Sequence, residues 1–157
     1  MRTLLIIAML TLAAVPADAQ RRRGGAAVAA PAPRFGGHGG YNFAVDEVVL
    51  GAQLSYPITS QVELYPSFDY YFVEGSLWSL NLDLKVHPPT RAGALYFGGG
   101  LDYTRAGDGA GGSSTGLNLL TGLEGRRRAT VPYVEAKLVL ADQSAFQLVG
   151  GFSFSFR

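Results

Sequence analysis

Apolar and polar side chains alternate residue by residue along most of the chain beyond Arg34, and this period of two restricts the possible folds more than any other feature. Such a period is typical of β-strands, whereas amphipathic helices repeat every 3.6 residues. Clusters of Gly, Pro, Asp and Ser interrupt the alternation at short intervals. They separate eight predicted strands, at residues 34–44, 47–57, 61–73, 76–87, 92–103, 115–124, 131–140 and 145–156. The pattern therefore predicts an all-β domain.

The two faces of the predicted strands differ in charge. Successive side chains point to opposite sides of a sheet, so that Leu82 and Asp83, for example, belong to different faces. The apolar face carries no charged residue in any segment. The other face carries the charged strand residues together with Gly, Ser, Asn and Tyr. Nine charged residues form the predicted polar cluster: Arg34, Glu63, Asp69, Asp83, Lys85, Asp102, Glu124, Glu135 and Lys137.

A sheet of this kind closes either into a soluble barrel with the apolar face inside or into a membrane barrel with that face toward lipid. Composition favours the membrane barrel, because only 16% of the residues are charged, against about 25% in soluble domains. Strands of about 10–12 residues also match the length that crosses a bilayer at a tilt. Eight glycines fall on the polar face and suit a crowded interior: Gly36, Gly40, Gly51, Gly98, Gly100, Gly116, Gly122 and Gly151.

Aromatic residues gather near the strand ends on the apolar face. Membrane barrels carry such girdles at both interfaces. The predicted girdle comprises Tyr70, Phe72, Trp78, Tyr103 and Phe146 at one rim, and Phe35, Tyr56, Phe152, Phe154 and Phe156 at the other. We therefore predict an eight-stranded antiparallel up-and-down transmembrane β-barrel over residues 34–157, with short periplasmic turns.

Connection lengths give the predicted orientation. With an even number of strands both termini lie on one side, which is the periplasm for a secreted chain, and external loops are longer than periplasmic turns. The longest predicted connection, Arg105 to Ser114, is then external. The connections at 88–91 and 126–128 face the periplasm.

The N-terminus has the organisation of a secretory signal peptide. A short positive start precedes an apolar stretch from Thr3 to Val15, and Ala17 and Ala19 form the small-x-small pattern that signal peptidase requires. We predict a signal peptide over 1–19, cleaved after Ala19. Residues 20–33, with the run Arg21–Arg23 and two prolines, are predicted to be a disordered tether.

The signal peptide, the eight amphipathic strands and the final alternation of Phe152, Phe154 and Phe156 with serine resemble the small outer-membrane β-barrel proteins of Gram-negative bacteria. These are the eight-stranded OmpA/OmpX-like barrels, and the resemblance extends over residues 34–157. It implies a monomer in the outer membrane that contacts outer-membrane lipid and the insertion machinery. Such proteins usually end in an aromatic residue, whereas Arg157 follows Phe156 here.

The residue inventory argues against catalysis. There is no cysteine, and the two histidines are predicted in the lumen (His38) and at the periplasmic end (His87), away from any serine at the outer rim. A lone histidine at each of two distant positions is not a metal site. We predict no enzyme activity, catalytic residue, cofactor or metal. A net charge of +1 gives no reason to expect nucleic acid as a partner.

Three functions remain open. The leading hypothesis is a non-enzymatic outer-membrane protein with a structural or surface-interaction role, whose surface partner is unknown. The second is a narrow or gated pore, or a carrier of a small hydrophobic solute. The third is a soluble periplasmic ligand-binding barrel of the lipocalin type.

Overall fold

The computed structural model of the chain describes residues 32–89, 95–107, 112–125 and 129–155. Within these ranges all regular secondary structure is β-strand. The eight strands are β1 (Arg34–Asn42), β2 (Glu47–Pro57), β3 (Val62–Tyr71), β4 (Leu77–Val86), β5 (Leu95–Ala106), β6 (Ser113–Glu124), β7 (Thr130–Leu140) and β8 (Ala145–Ser155). In the part of the chain so described, no helix is long and apolar enough to cross a membrane.

The strands form a closed antiparallel barrel in chain order. Each strand pairs with its neighbours in sequence, and β1 also pairs with β8, where Gly39 lies opposite Gly150. Closure leaves no unpaired strand edge at which other chains could add. The predicted fold, an all-β barrel of eight antiparallel strands, is confirmed.

The barrel has two ends, which we call the terminal end and the distal end. The terminal end holds the start of β1, the end of β8 and the connections β2–β3, β4–β5 and β6–β7. The distal end holds the connections β1–β2, β3–β4, β5–β6 and β7–β8.

One predicted connection is shorter than the sequence pattern indicated. Residues Thr104 and Arg105 pair with Ser114 and Ser113, so β5 and β6 extend beyond their predicted ends. Six residues separate these strands, whereas eight separate β4 from β5. The prediction that Arg105 to Ser114 is the longest connection is therefore wrong. Serine and threonine are common in turns, which suggested a loop here, but they also pair well across strands. Because this connection is not the longest, loop length no longer supports the predicted orientation.

Polarity is inverted relative to a soluble barrel. Along β4, Leu80, Leu82 and Leu84 point outward with 46–50% of their surface exposed, whereas Ser79 and Asp83 are fully buried inside. The other strands repeat this alternation around the circumference. The sequence assigned the two faces correctly, and the buried core of the molecule is its lumen.

The barrel is tightly packed around its inward-facing glycines. A Cβ atom built at any of the eight glycines predicted to face the interior would come within about 3.0 Å of another atom. At Gly51 that atom belongs to His38 or Asp69, and at Gly122 it belongs to Tyr96. At the other six positions the nearest atom is a carbonyl oxygen of an adjacent strand. A side chain at any of the eight would therefore force a neighbouring strand or a lumen side chain to move. A small apolar cluster of Val49, Tyr71, Tyr133 and Val149 also packs inside.

Several predicted features lie outside the described residues. They are the signal peptide with Ala17 and Ala19, the tether as far as residue 31 including Arg21–Arg23, the turn at 126–128, and the final Phe156 and Arg157.

Candidate functional site in the barrel lumen

The structure places all nine residues of the predicted polar cluster inside the barrel, with between 0% and 8% of their surface exposed. They form two groups at different depths. The terminal group comprises Arg34, Glu63, Lys85, Glu124 and Glu135, and the distal group comprises Asp69, Asp83, Asp102 and Lys137.

Arg34 links three strands in the terminal group. Its Nη2 donates to both carboxylate oxygens of Glu63 on β3, at 2.9 and 3.1 Å. Both of its terminal nitrogens lie 3.4 Å from Oε2 of Glu124 on β6. The hydroxyl of Ser55 donates to the same oxygen of Glu63 that receives the shorter arginine bond. A planar guanidinium with several donors is well suited to such a bridge.

His87 lies between the two glutamates of this group. Its Nε2 is 3.5 Å from Glu63 Oε2 and its Nδ1 is 3.7 Å from Glu124 Oε1, yet neither nitrogen has hydrogen-bond geometry. The imidazole packs against the ring of Tyr96, with 5.6 Å between ring centroids. His87 therefore packs between the two glutamates without a hydrogen bond to either.

Lys85 occupies a cage of tyrosine rings. Its Nζ lies 2.6 Å from Glu135 Oε2 and 3.2 Å from the centroid of the Tyr65 ring. The rings of Tyr96 and Tyr133 follow at 4.3 and 5.4 Å. The Tyr96 hydroxyl donates to Glu135 at 2.9 Å. A buried ammonium is stabilised here by one carboxylate and by the negative faces of aromatic rings.

Lys137 is the cation of the distal group. Its Nζ lies 3.7 Å from Asp69 Oδ2 and 3.9 Å from Asp83 Oδ2. The amide of Asn118 donates to Asp83 Oδ1 at 3.0 Å and to the side-chain oxygen of Asn81 at 2.8 Å. The Lys137 ammonium therefore lies within ion-pair distance of two carboxylates, and the Asn118 amide holds the Asp83 carboxylate in place.

His38 extends this group toward β1. Its Nε2 lies 2.7 Å from Asp69 Oδ1, and its Nδ1 lies 2.8 Å from Gln53 Oε1. The predicted position of His38 in the lumen agrees with this arrangement. Both ring nitrogens are engaged, so the imidazole acts as a link between strands.

Asp102 differs from the other carboxylates. It is 4% exposed and accepts a hydrogen bond from the Thr104 hydroxyl at 2.9 Å. Within the described part of the chain it makes no ion pair. Among the described residues, the lumen holds six buried carboxyl groups and three buried arginine or lysine side chains, so acidic groups are in excess.

The aromatic residues predicted to form the girdle lie on the outer wall near the strand ends. At the distal end Trp78 stacks against Phe68 and makes a tilted contact with Tyr103, with ring centroids 6.3 and 5.9 Å away. Phe72 lies 5.3 Å from Tyr70 at the same end. The remaining members in the described ranges are also exposed: Phe146 at the distal end, and Phe35, Tyr56, Phe152 and Phe154 toward the terminal end.

The predicted polar cluster does not include the neutral members of the lumen network, although Asn and Tyr were predicted on the same face. The same alternation also predicts the tyrosines around Lys85 and the amides of Gln53, Asn81 and Asn118 inside the barrel, because these residues occupy inward positions. The predicted polar cluster contains only charged residues. Among the residues described, no group of three or more His, Asp or Glu side chains could hold a metal ion.

Comparison with protein-family models gives no match, and no curated protein matches the chain. Solved structures do match. The N-terminal β-barrel domain of OprF from Pseudomonas aeruginosa superposes with a TM-score of 0.67 at 20% identity, over 80% of this chain and 97% of that one. Neisserial surface protein A (NspA) superposes with a TM-score of 0.62 at 15% identity, over 79% of this chain and 96% of that one. The fold is that of the eight-stranded outer-membrane barrels.

Proposed function

We propose that this chain is a non-enzymatic β-barrel protein of the outer membrane of a Gram-negative bacterium, with a structural or surface-interaction role. The observation that carries the proposal is the inverted polarity of the barrel. Charged side chains fill the interior, and large apolar side chains such as Leu82 and Phe97 cover the outer wall. Soluble monomers rarely expose contiguous apolar patches larger than a few hundred Å².

An apolar outer wall of this kind is more favourable in contact with lipid chains than with water. Strands of 9–12 residues have the length required to cross a bilayer at a tilt. All backbone groups of a closed barrel find partners within the wall, which hydrocarbon demands. The same polarity argues against a lipocalin-like barrel, because such a protein turns its apolar face inward around the ligand.

The closed lumen supports a structural role over a pore. An eight-stranded barrel is just wide enough for side chains to fill. Around Arg34, Lys85 and the tyrosines the remaining cavity is about 10 Å³, which is room for about one water molecule. The ion pairs of Lys85 and Lys137 and the apolar cluster around Val49 occupy further parts of the lumen.

The proposed orientation places both termini in the periplasm and the distal end outside the cell. It rests on the even strand count and on export of the chain by the predicted signal peptide. The distal end would then offer the surface for interactions. Outer-membrane lipid and the insertion machinery are the partners that this location implies.

Fractionation and conductance test the proposal together. The full chain, expressed in a Gram-negative host, should sediment with the outer membrane and resist extraction by alkali or urea. Purified in non-ionic detergent and added to a planar bilayer, it should give no discrete conductance steps. Recovery in the soluble periplasmic fraction would contradict the location, and regular steps would favour the pore.

A further inference from the structure

The distal end of the lumen contains a cavity of about 340 Å³. This volume lies at the lower end of the range of small-molecule sites. The cavity has a mixed wall of apolar and polar side chains. Its lining includes Val45, Leu77 and Val139 on the apolar side, and Asn42, Thr104 and Asp102 on the polar side. None of the lining residues in the described part of the chain is positively charged.

Asp102 is the buried charge of this cavity. Its surface is 96% buried, and its one hydrogen bond in the described structure comes from Thr104. Lys137 acts on Asp102 only from beyond ion-pair distance, and its ion pairs are with Asp69 and Asp83. A carboxylate removed from water without a cation partner is costly. A cationic group that enters the cavity would remove that cost.

The charges around the distal end would attract such a group. Its described connections and strand ends carry the acidic residues Asp46, Glu47, Glu74 and Asp142. Arg105 is the one basic residue among them, and its side chain is exposed on the outer wall. A mouth lined by one sign of charge raises the local concentration of oppositely charged ligands.

We propose that this cavity binds a small organic ammonium ion with a short apolar chain. The ammonium group would pair with Asp102, and the chain would lie against Val45, Leu77 and Val139. A bare metal ion fits poorly, because no group of three or more acidic or histidine side chains surrounds Asp102 in the described structure to replace the hydration shell of the ion. The inference goes beyond the proposed function and requires only the folded barrel, since the site lies inside it.

Calorimetry with a matched pair of ligands tests the proposal. The full-length protein, purified in a non-ionic detergent without ammonium headgroups, is titrated with n-butylammonium chloride and, separately, with n-butanol. We expect saturable binding of butylammonium at one site per chain, and binding of butanol at least tenfold weaker. Equal affinity for the two, or no saturable binding of butylammonium, would overturn the proposal.

Variants locate the site. D102N should weaken butylammonium binding at least tenfold, whereas E74Q, which removes an exposed carboxylate of the distal end outside the cavity lining, should change it less than threefold. A145F fills the cavity from β8 without altering its charge and should abolish binding. β-sheet circular dichroism reports folding of each variant. Should D102N fail to fold, A145F decides: unchanged binding in that variant places the ligand elsewhere and refutes the proposal.

Discussion

At the scale of single residues, the stability of this barrel depends on how its buried charges are paired. Lys137 lies within 4 Å of two carboxylates and is 3% exposed. Removing one partner of a buried pair leaves the other uncompensated, which is typically destabilising by about 3–5 kcal/mol. Asp102 has no such pair to lose. The same substitution at these carboxylates should therefore have different effects.

Asp83→Asn is expected to lower the free energy of unfolding by about 1–2 kcal/mol. The amide keeps the shape and the bond to Asn118 but gives up the charge that faces Lys137. Asp102→Asn keeps the acceptor for Thr104 and should change the stability by less than about 0.5 kcal/mol or raise it. Urea titration of both variants in phospholipid vesicles measures the difference. Equal losses would show that pairing with Lys137 is not what distinguishes them.

The inward glycines give a second prediction at this scale. A Cβ at Gly100 would collide with Asp83 and with the carbonyl of Leu82, so Gly100→Ala should destabilise the barrel by about 1–3 kcal/mol. Gly150 faces outward, and the nearest atom to its Cβ would be the Tyr133 carbonyl oxygen at 3.7 Å. Gly150→Ala should be neutral or stabilise by about 0.4–1 kcal/mol. The same vesicle titration compares the two, and a larger loss at Gly150 would contradict the packed lumen.

At the scale of the strand, depth in the bilayer should decide the cost of an outward charge. Leu82 lies in the middle of β4, and Val86 ends it, both on the outer wall. Leu82→Arg should cost about 2–4 kcal/mol and Val86→Arg about 0–1 kcal/mol, because the penalty falls from the midplane to the interface. Vesicle titrations of the two variants test this gradient. Similar costs at both positions would contradict a β4 that spans the membrane.

The strand is also the scale at which sequence reasoning worked best. Alternation alone assigned Leu82 to the outer wall and Asp83 to the lumen, because side-chain direction in a strand follows from parity. The ends of β5 and β6 were misjudged, since pairing of Thr104 with Ser114 depends on the partner strand as well as on local composition.

The sequence alone does not predict which side chains contact one another inside the lumen. Arg34 and Glu124 meet across 90 residues of chain, and Lys85 meets three tyrosines from three other strands. Parity places all of these side chains inside. The stagger of the eight strands around the closed barrel decides which of these side chains touch. The alternation of residues along the sequence does not predict that stagger.

At the scale of the whole molecule, the proposed membrane location implies one orientation of the barrel, with the distal end outside the cell. The chain has no cysteine, so single cysteines can report the topology. Glu74→Cys lies in a distal connection and Ser60→Cys in a terminal one, and both positions are exposed. A membrane-impermeant maleimide should label the first variant on intact cells and the second only after permeabilisation. The reverse pattern would invert the proposed orientation.

The lipid contact of the outer wall is the central claim, and the single tryptophan of the chain tests it without any substitution. Trp78 lies on the outer wall at the distal end, between Phe68 and Tyr103. In vesicles of phospholipids with brominated acyl chains its fluorescence should be quenched. Bromines near the headgroups should quench more than bromines near the chain ends, because girdle aromatics lie at the interface. Fluorescence that stays unquenched in every brominated lipid would contradict a wall that faces the membrane.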